Sequence, residues 1–260
     1  MLQYRVDLPA PDVRTHSKKH ERIAAMKTMP CPTATTISLA FCTFILAACA
    51  YDGGETNPLV RKATWYSYIN ADDLRSSCAS EQGNSLRLIY NAIHTEQIRT
   101  YEISTPPGQE FSSMEARVLG PANLATLKVS SLDDLITPWR GTVATTRLRQ
   151  QDMATLWQTL EDDSVFDPAP NGLHLASEEF FWLTAICRDG QFFYNAYTWP
   201  SDTFDAIGFD QLLFAWDMTG IPVNPPRQAT MFDIYGEASP KKRTGAYYQL
   251  TIGENGLKGH

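Results

Sequence analysis

Hydrophobic residues recur at helical spacing in two segments of the second half of the chain. In residues 150–162, Met153, Leu156, Trp157 and Leu160 fall at positions i, i+3, i+4 and i+7, which places them on one face of a helix. A second such face predicts a helix over 203–218, because Gly220 and Pro222 follow it as stop signals. Both segments are long enough for helices that pack against a larger core.

Most of the remaining chain predicts extended structure. The polar residues 71–82 predict a short helical turn. Asp189-Gly190, between the aromatic-rich runs 180–186 and 192–199, is the strongest hairpin signal in the sequence. Further strands are predicted where β-branched and aromatic residues lie between turn residues, at 62–69, 85–91, 97–104, 114–119, 124–129, 142–148 and 247–252.

These elements predict one α+β domain over residues 62–260. An antiparallel strand meander is followed by a helix, a β-hairpin and a second helix. The chain has 260 residues, 43% of them hydrophobic and 20% charged, which suits a globular domain of this size.

Residues 26–49 have the pattern of an export signal. A short basic start precedes an uncharged apolar run over 37–48. At 12 residues, this run is shorter than the roughly 20 that a membrane-spanning helix needs. It matches the hydrophobic region of a signal peptide instead. The run ends in Leu46-Ala47-Ala48-Cys49, which resembles the lipobox of bacterial lipoproteins.

The resemblance implies cleavage between Ala48 and Cys49, attachment of a diacylglyceryl group to the Cys49 thiol as a thioether, and acylation of the freed amine, palmitate being among the acyl chains. The protein would then be held on a membrane of the cell envelope and face the periplasm. Ala50 rather than Asp follows the cysteine, which by the same resemblance favours the outer membrane. The alternatives are an N-terminal transmembrane anchor, or a buried core helix with Cys49 a chance cysteine.

The same interpretation divides the N-terminal part of the chain into three pieces. Residues 1–25 are polar and lack a hydrophobic period, so we expect translation to begin at Met26; a long basic region before the signal is the alternative. Residues 1–48 are thus an upstream extension and signal peptide that the mature protein lacks. Residues 49–61, rich in Gly, Asn and Pro, predict a flexible tether between lipid and domain.

Two of the five cysteines remain once the signal and the lipid-bearing cysteine are set aside, namely Cys78 and Cys187. A pair of cysteines in an oxidising compartment predicts a disulfide. Two separate buried thiols are the alternative.

The charge balance excludes one class of partner. Residues 49–260 contain 16 Lys and Arg and 26 Asp and Glu, a net charge of −10. Nucleic acids and strongly anionic surfaces would repel such a domain. We therefore expect no nucleic-acid partner.

Catalytic motifs do not emerge from the sequence. There is no hydrolase elbow, zinc-protease motif, phosphate loop or dinucleotide fingerprint, so neither a cofactor nor a metal is expected. His94 and His174 are expected to be surface or capping residues. The acidic runs Asp72-Asp73, Asp133-Asp134 and 161–163 are expected at helix ends or turns.

The sequence therefore favours a membrane-anchored envelope protein that is non-enzymatic and acts in binding or assembly, with an envelope protein as a partner. One alternative is a small-ligand binder that uses the aromatic hairpin for a glycan or a lipid. The other is a hydrolase whose site is assembled from distant residues.

Overall fold

The computed structural model describes residues 50–54, 57–79, 83–106, 108–120, 140–228 and 248–259. All of them belong to one compact unit that spans residues 45–260. The signal peptide, the lipobox with Cys49, the strand predicted over 124–129, and Asp133-Asp134 lie outside the described residues.

Within the described residues, six antiparallel strands form the central sheet, in the order β4-β3-β2-β1-β6-β7. A shorter pair, β5 and β8, forms a separate sheet. The strands are β1 Asn84–Ala92, β2 Gln97–Thr105, β3 Phe111–Leu119, β4 Thr142–Arg149, β5 His174–Ala176, β6 Phe180–Arg188, β7 Gln191–Thr198 and β8 Gln249–Thr251.

Helices surround this sheet. They are α1 Pro58–Ala63, α2 Trp65–Asn70, α3 Asp72–Cys78, α4 Gln150–Asp162, α5 Asp202–Asp205 and α6 Phe209–Trp216. The predicted α+β class with an antiparallel sheet is therefore confirmed. The predicted order of elements is not, because α1 to α3 precede the first strand.

Two elements follow the sequence prediction closely. The helix predicted over 150–162 is α4, and its buried residues are Met153, Leu156 and Leu160. The Asp-Gly hairpin joins β6 to β7, and both turn residues have positive φ, 52° at Asp189 and 77° at Gly190. This backbone matches the turn that a two-residue hairpin needs.

The strand predicted over 62–69 is wrong, because the chain there is helical. Trp65, Tyr68 and Ile69 are spaced i, i+3 and i+4, and all are buried, whereas Tyr66 is exposed. Aromatic residues favour strands, but in so short an apolar run the helical spacing of the buried positions decides the structure.

The tether predicted over 49–61 also requires correction. Tyr51 is only 5% exposed, and α1 begins at Pro58. Asn57 caps this helix through a hydrogen bond from the Leu59 amide to its side chain, 2.9 Å long. Asn57 is thus a helix cap rather than part of a free linker, and residues 58–61 are helical.

The helix predicted over 203–218 is divided into α5 and α6. The carboxylate of Asp163 accepts hydrogen bonds from the amides of Gly208 and Phe209, at 2.9 to 3.0 Å. This acceptor from the end of α4 satisfies amides at the start of α6 and separates the two helices.

Alternate side chains of the strands point into two separate hydrophobic clusters, one on each face of the sheet. The helices α4 to α6 cover one face, and α1 to α3 with β5 and β8 cover the other. We call these the α4–α6 face and the α1–α3 face. No helix of the described residues is long and apolar enough to cross a bilayer.

The predicted pairing of Cys78 with Cys187 is confirmed by the geometry. Their Cα atoms are 5.4 Å apart, and the two sulfurs are at bonding distance. The bond connects the end of α3 to the end of β6 and closes a loop of 109 positions in sequence. It therefore fastens the α1–α3 layer to β6, the strand next to the edge strand β7.

Loss of this disulfide should lower stability. Chain-entropy arguments and typical measurements predict that the double variant Cys78→Ala/Cys187→Ala loses about 2–4 kcal/mol of unfolding free energy, because the unfolded chain regains the freedom of a long loop. Urea unfolding of the oxidised wild type, the reduced wild type and the variant measures this. A reductant should not affect the variant. Equal midpoints for oxidised and reduced wild type would contradict the expectation.

Candidate functional site

Charged residues cluster on the α1–α3 face, where the sheet would ordinarily be apolar. Arg87 of β1 is paired in register with Glu102 of β2, and Glu102 with Glu115 of β3. Arg117 is paired with Thr100 in the adjacent row. Like charges directly opposite each other are unfavourable, so the arginines around Glu102 and Glu115 are needed to balance them.

Arg87 is the centre of this cluster and is 2% exposed. Its guanidinium donates two hydrogen bonds to the carboxylate of Asp73 in α3, at 2.8 and 2.7 Å. It also donates to the Tyr68 carbonyl oxygen at 2.9 Å and lies 4.0 Å from the centre of the Tyr68 ring. Its Nε lies 3.3 Å from Glu102. One side chain of the sheet thus contacts both α2 and α3.

The electrostatics of Arg87 follow from these contacts. Burial opposes the charged form, but Tyr68 and the carboxylates of Glu102 and Asp73 outweigh it and raise the pKa of Arg87 above its usual value. The guanidinium is therefore charged at any physiological pH. Because Asp73 occupies two of its donors in a forked pair, Arg87 is a structural group rather than a free ligand-binding cation.

A small cavity of about 80 Å³ lies beside Arg87, between the sheet and the first two helices. The cavity has a charged part and an aromatic part. Arg61, Arg117, Glu102 and Glu115 line the first, and Tyr51, Trp65 and Tyr68 line the second.

The charges of the cavity are largely balanced against one another. Arg117 forms an ion pair with Glu115 at 2.7 Å and donates to the Arg140 carbonyl oxygen at 2.8 Å. Burial, and next the nearby charge of Arg117, lower the pKa of Arg61. Ligand pockets usually measure about 300–1,000 Å³, so this cavity suits waters or a very small polar molecule.

A wider pocket of about 330 Å³ lies on the other side of the molecule, beside the end of α4. Asp162, Asp163 and Asp167 are among its lining residues. Asp163 caps α6, as described above. The Asn195 side-chain amide donates to the carbonyl oxygens of Ser164 and Asp167, at 3.2 and 3.4 Å. These polar groups hold the loop after α4 in place, as expected for carboxylates at a helix end.

A second buried arginine anchors the opposite layer. Arg99 of β2 is 1% exposed and forms an ion pair with Asp217, directly after α6. It also donates to the Ile221 carbonyl oxygen and to the Gln97 side chain. The segment after α6 is thereby fixed on the α4–α6 face of the sheet.

The predicted histidines occupy different environments. His174, on β5, is exposed, and its Nδ1 lies 3.1 Å from Thr251 Oγ1. His94 lies in the turn between β1 and β2, but it is 5% exposed, so the predicted surface position is wrong. Its ring packs edge-on against Tyr248, 5.0 Å between centres. Burial lowers the pKa of His94 to about 4, so the ring is neutral near pH 7.

The aromatic hairpin contributes to the core on both faces of the sheet. Trp182 and Tyr197 pack under the α4–α6 layer, and Phe181 and Tyr194 pack under the α1–α3 layer. These four rings are all at most 6% exposed and are core residues. Of them, Tyr197 also lines the pocket beside the end of α4.

Metal ligation finds no support in the part of the chain that the structure describes, since no three His, Cys, Asp or Glu side chains are grouped closely enough to hold an ion. Two of the predicted acidic runs lie in the described residues. Residues 72–73 form ion pairs with Arg75 and Arg87. Residues 161–163 form an ion pair with Arg188 and accept hydrogen bonds at the start of α6.

Comparison with known proteins does not assign a family or a fold to this chain. No family model, no curated protein and no solved structure matches this chain.

Protonation of His94 should destabilise the fold in a defined pH range. The unfolded chain takes up a proton at the ordinary pKa of 6.5, whereas the folded protein does so only near 4. Stability should therefore fall as the pH drops from 6.5 towards 4, by up to about 1.4 kcal/mol per unit from this residue.

The variant His94→Phe keeps a ring but cannot titrate, so the slope of unfolding free energy against pH should decrease. His174→Gln, at the exposed histidine, is the matched control and should retain the wild-type slope. Chemical denaturation at pH 7, 6, 5 and 4.5 supplies the measurement. If His94→Phe has the same slope as wild type, the folded ring titrates normally.

Proposed function

We propose that this protein is a lipid-anchored protein of the bacterial cell envelope that faces the periplasm, and that it acts as a non-enzymatic binding or assembly accessory. The proposal starts from the lipobox resemblance of residues 46–49 and the short uncharged run before it. Since Asp does not follow Cys49, the outer membrane is the favoured location.

The observation that carries the proposal is the bond between Cys78 and Cys187. Structural disulfides form and persist in oxidising compartments and are rare in the cytosol. Both cysteines lie in the domain that export would place outside the cytoplasm. The folded domain and the signal sequence thus support the same compartment through independent residues.

Support for a non-enzymatic role comes from the polar clusters. Arg87, Arg99 and Asp163 are engaged in contacts between elements of the fold, and His94 is buried among aromatic rings. A general base or nucleophile must instead reach a substrate. A protein that presents a rigid surface to an envelope partner needs only these structural contacts.

A second candidate function is the binding of a small polar molecule in the cavity beside Arg87. The sequence suggests the aromatic hairpin for such a role, but four of its rings, at residues 181, 182, 194 and 197, belong to the core and are at most 6% exposed. The cavity offers two guanidinium groups, two carboxylates and aromatic walls. Its size of about 80 Å³ favours a ligand far smaller than a glycan or a lipid.

Lipidation is tested by labelling. Expression in a Gram-negative bacterium with labelled palmitate should label the wild type. The Cys49→Ala variant should carry no label, because the proposed acyl chains are attached through the thiol and the amine of Cys49. Cys42→Ala, in the same signal segment, is the matched control and should be labelled like the wild type. Equal labelling of all three proteins would refute the proposal.

A further inference from the structure

The first residues after the proposed lipid site are part of the folded domain. Tyr51 is 5% exposed, and its ring packs edge-on against Tyr68 at 4.9 Å between centres. The Tyr51 amide donates to the Ser67 hydroxyl at 3.0 Å. The Arg87 guanidinium lies 5.1 Å from the Tyr51 ring centre. The chain is therefore fixed to α2 and to the sheet at Tyr51.

This position limits the distance between lipid and domain. Cys49 and Tyr51 are two positions apart, and two residues of extended chain span at most about 7 Å. Lipid on Cys49 lies in the bilayer, so the surface next to Tyr51 must lie close to the headgroups. A flexible tether of a dozen residues would have allowed any orientation, but the buried tyrosine does not.

Both α1 and α2 lie next to Tyr51, because Arg61 of α1 lines the same cavity as Tyr51 and Ser67 of α2 accepts its amide hydrogen bond. On α2, the Tyr66 side chain is 42% exposed, and one edge of its ring packs against Tyr248, 5.8 Å between ring centres. On α1, Leu59 is 58% and Val60 38% exposed. Lys62 is exposed beside them. We call Leu59, Val60, Lys62 and Tyr66 the α1–α2 surface.

The composition of this surface suits a lipid headgroup region. Aliphatic residues, a tyrosine and a lysine together are typical of helices that lie in the interface plane. Residues 50–71 contain two acidic and two basic residues, whereas residues 49–260 have a net charge of −10. Asp72 and Asp73, which follow, are paired with Arg75 and Arg87. This side of an acidic domain is therefore not repelled by a bilayer.

We propose that the α1–α2 surface lies on the bilayer and holds the domain in one orientation, with the α4–α6 face turned towards the periplasm. The inference rests on the proposed lipidation of Cys49. Two or three partly exposed apolar residues would not bind a membrane strongly alone. Attached within a few ångströms of the lipid, they experience a very high effective concentration of bilayer.

Site-directed spin labelling tests this orientation in the full lipidated chain. In the proposed mature protein, Cys49 carries lipid and the other two cysteines are bonded, so one introduced cysteine is labelled uniquely. Leu59→Cys and Val60→Cys probe the α1–α2 surface. Met218→Cys and Ile221→Cys, at residues 66% and 40% exposed on the α4–α6 face, are the matched controls.

Each labelled protein is purified in detergent and reconstituted in vesicles of phosphatidylethanolamine and phosphatidylglycerol at 3:1. The collision rates of the spin label with oxygen and with a water-soluble nickel chelate then report how deep the label lies in the bilayer. We expect the oxygen-to-nickel ratio to be several-fold higher at positions 59 and 60 than at 218 and 221. The use of two positions on each face guards against a single variant that disturbs folding.

The outcomes separate this inference from the proposed function. If the protein floats with the vesicles and carries palmitate but all four labels report water, the docking is refuted and the lipid anchor stands. Equal depth for all four labels, or deeper labels at 218 and 221, also refutes the orientation. If the purified protein carries no lipid, the proposed function and this inference both fail.

Discussion

The buried guanidinium of Arg87 holds the helices α2 and α3 on the central sheet. It extends from β1 and binds the Asp73 carboxylate in α3, the Tyr68 carbonyl in α2 and the Tyr68 ring. A buried ion pair adds little net stability compared with apolar packing, but its loss leaves an unpaired charge in the core. The position of α2, and with it the position of Tyr51, depends on this contact.

The opposite layer is built in a parallel way. Arg99, on the neighbouring strand, binds Asp217 and a carbonyl of the segment after α6. Each helical layer is thus joined to the sheet by one buried arginine, while apolar clusters fill the remaining space. The disulfide adds a covalent connection on the α1–α3 side. In the proposed orientation, the α1–α3 layer, which has both the arginine contact and the disulfide, lies next to the membrane.

The sequence correctly predicts the helices and strands that depend on the local spacing of hydrophobic residues. The strands that became β1 to β4, the hairpin at Asp189 and the helix α4 all follow from spacing and turn chemistry. The charged Arg87 within an apolar strand was a signal of a buried polar contact, but its partner Asp73 is fixed by tertiary packing. The burial of Tyr51 could not be predicted either, because Gly-rich neighbours locally indicate a linker.

The replacement of Asp73 by Asn tests the role of Arg87 most directly, since it removes one charge and keeps the shape. The Asp73→Asn variant should lose about 3 kcal/mol of unfolding free energy, because a buried guanidinium is left short of a carboxylate. Asp189→Asn, at a side chain 83% exposed, is the matched control and should change stability by less than about 0.5 kcal/mol. If both variants unfold at the wild-type urea concentration, Arg87 does not hold the helical layer on the sheet.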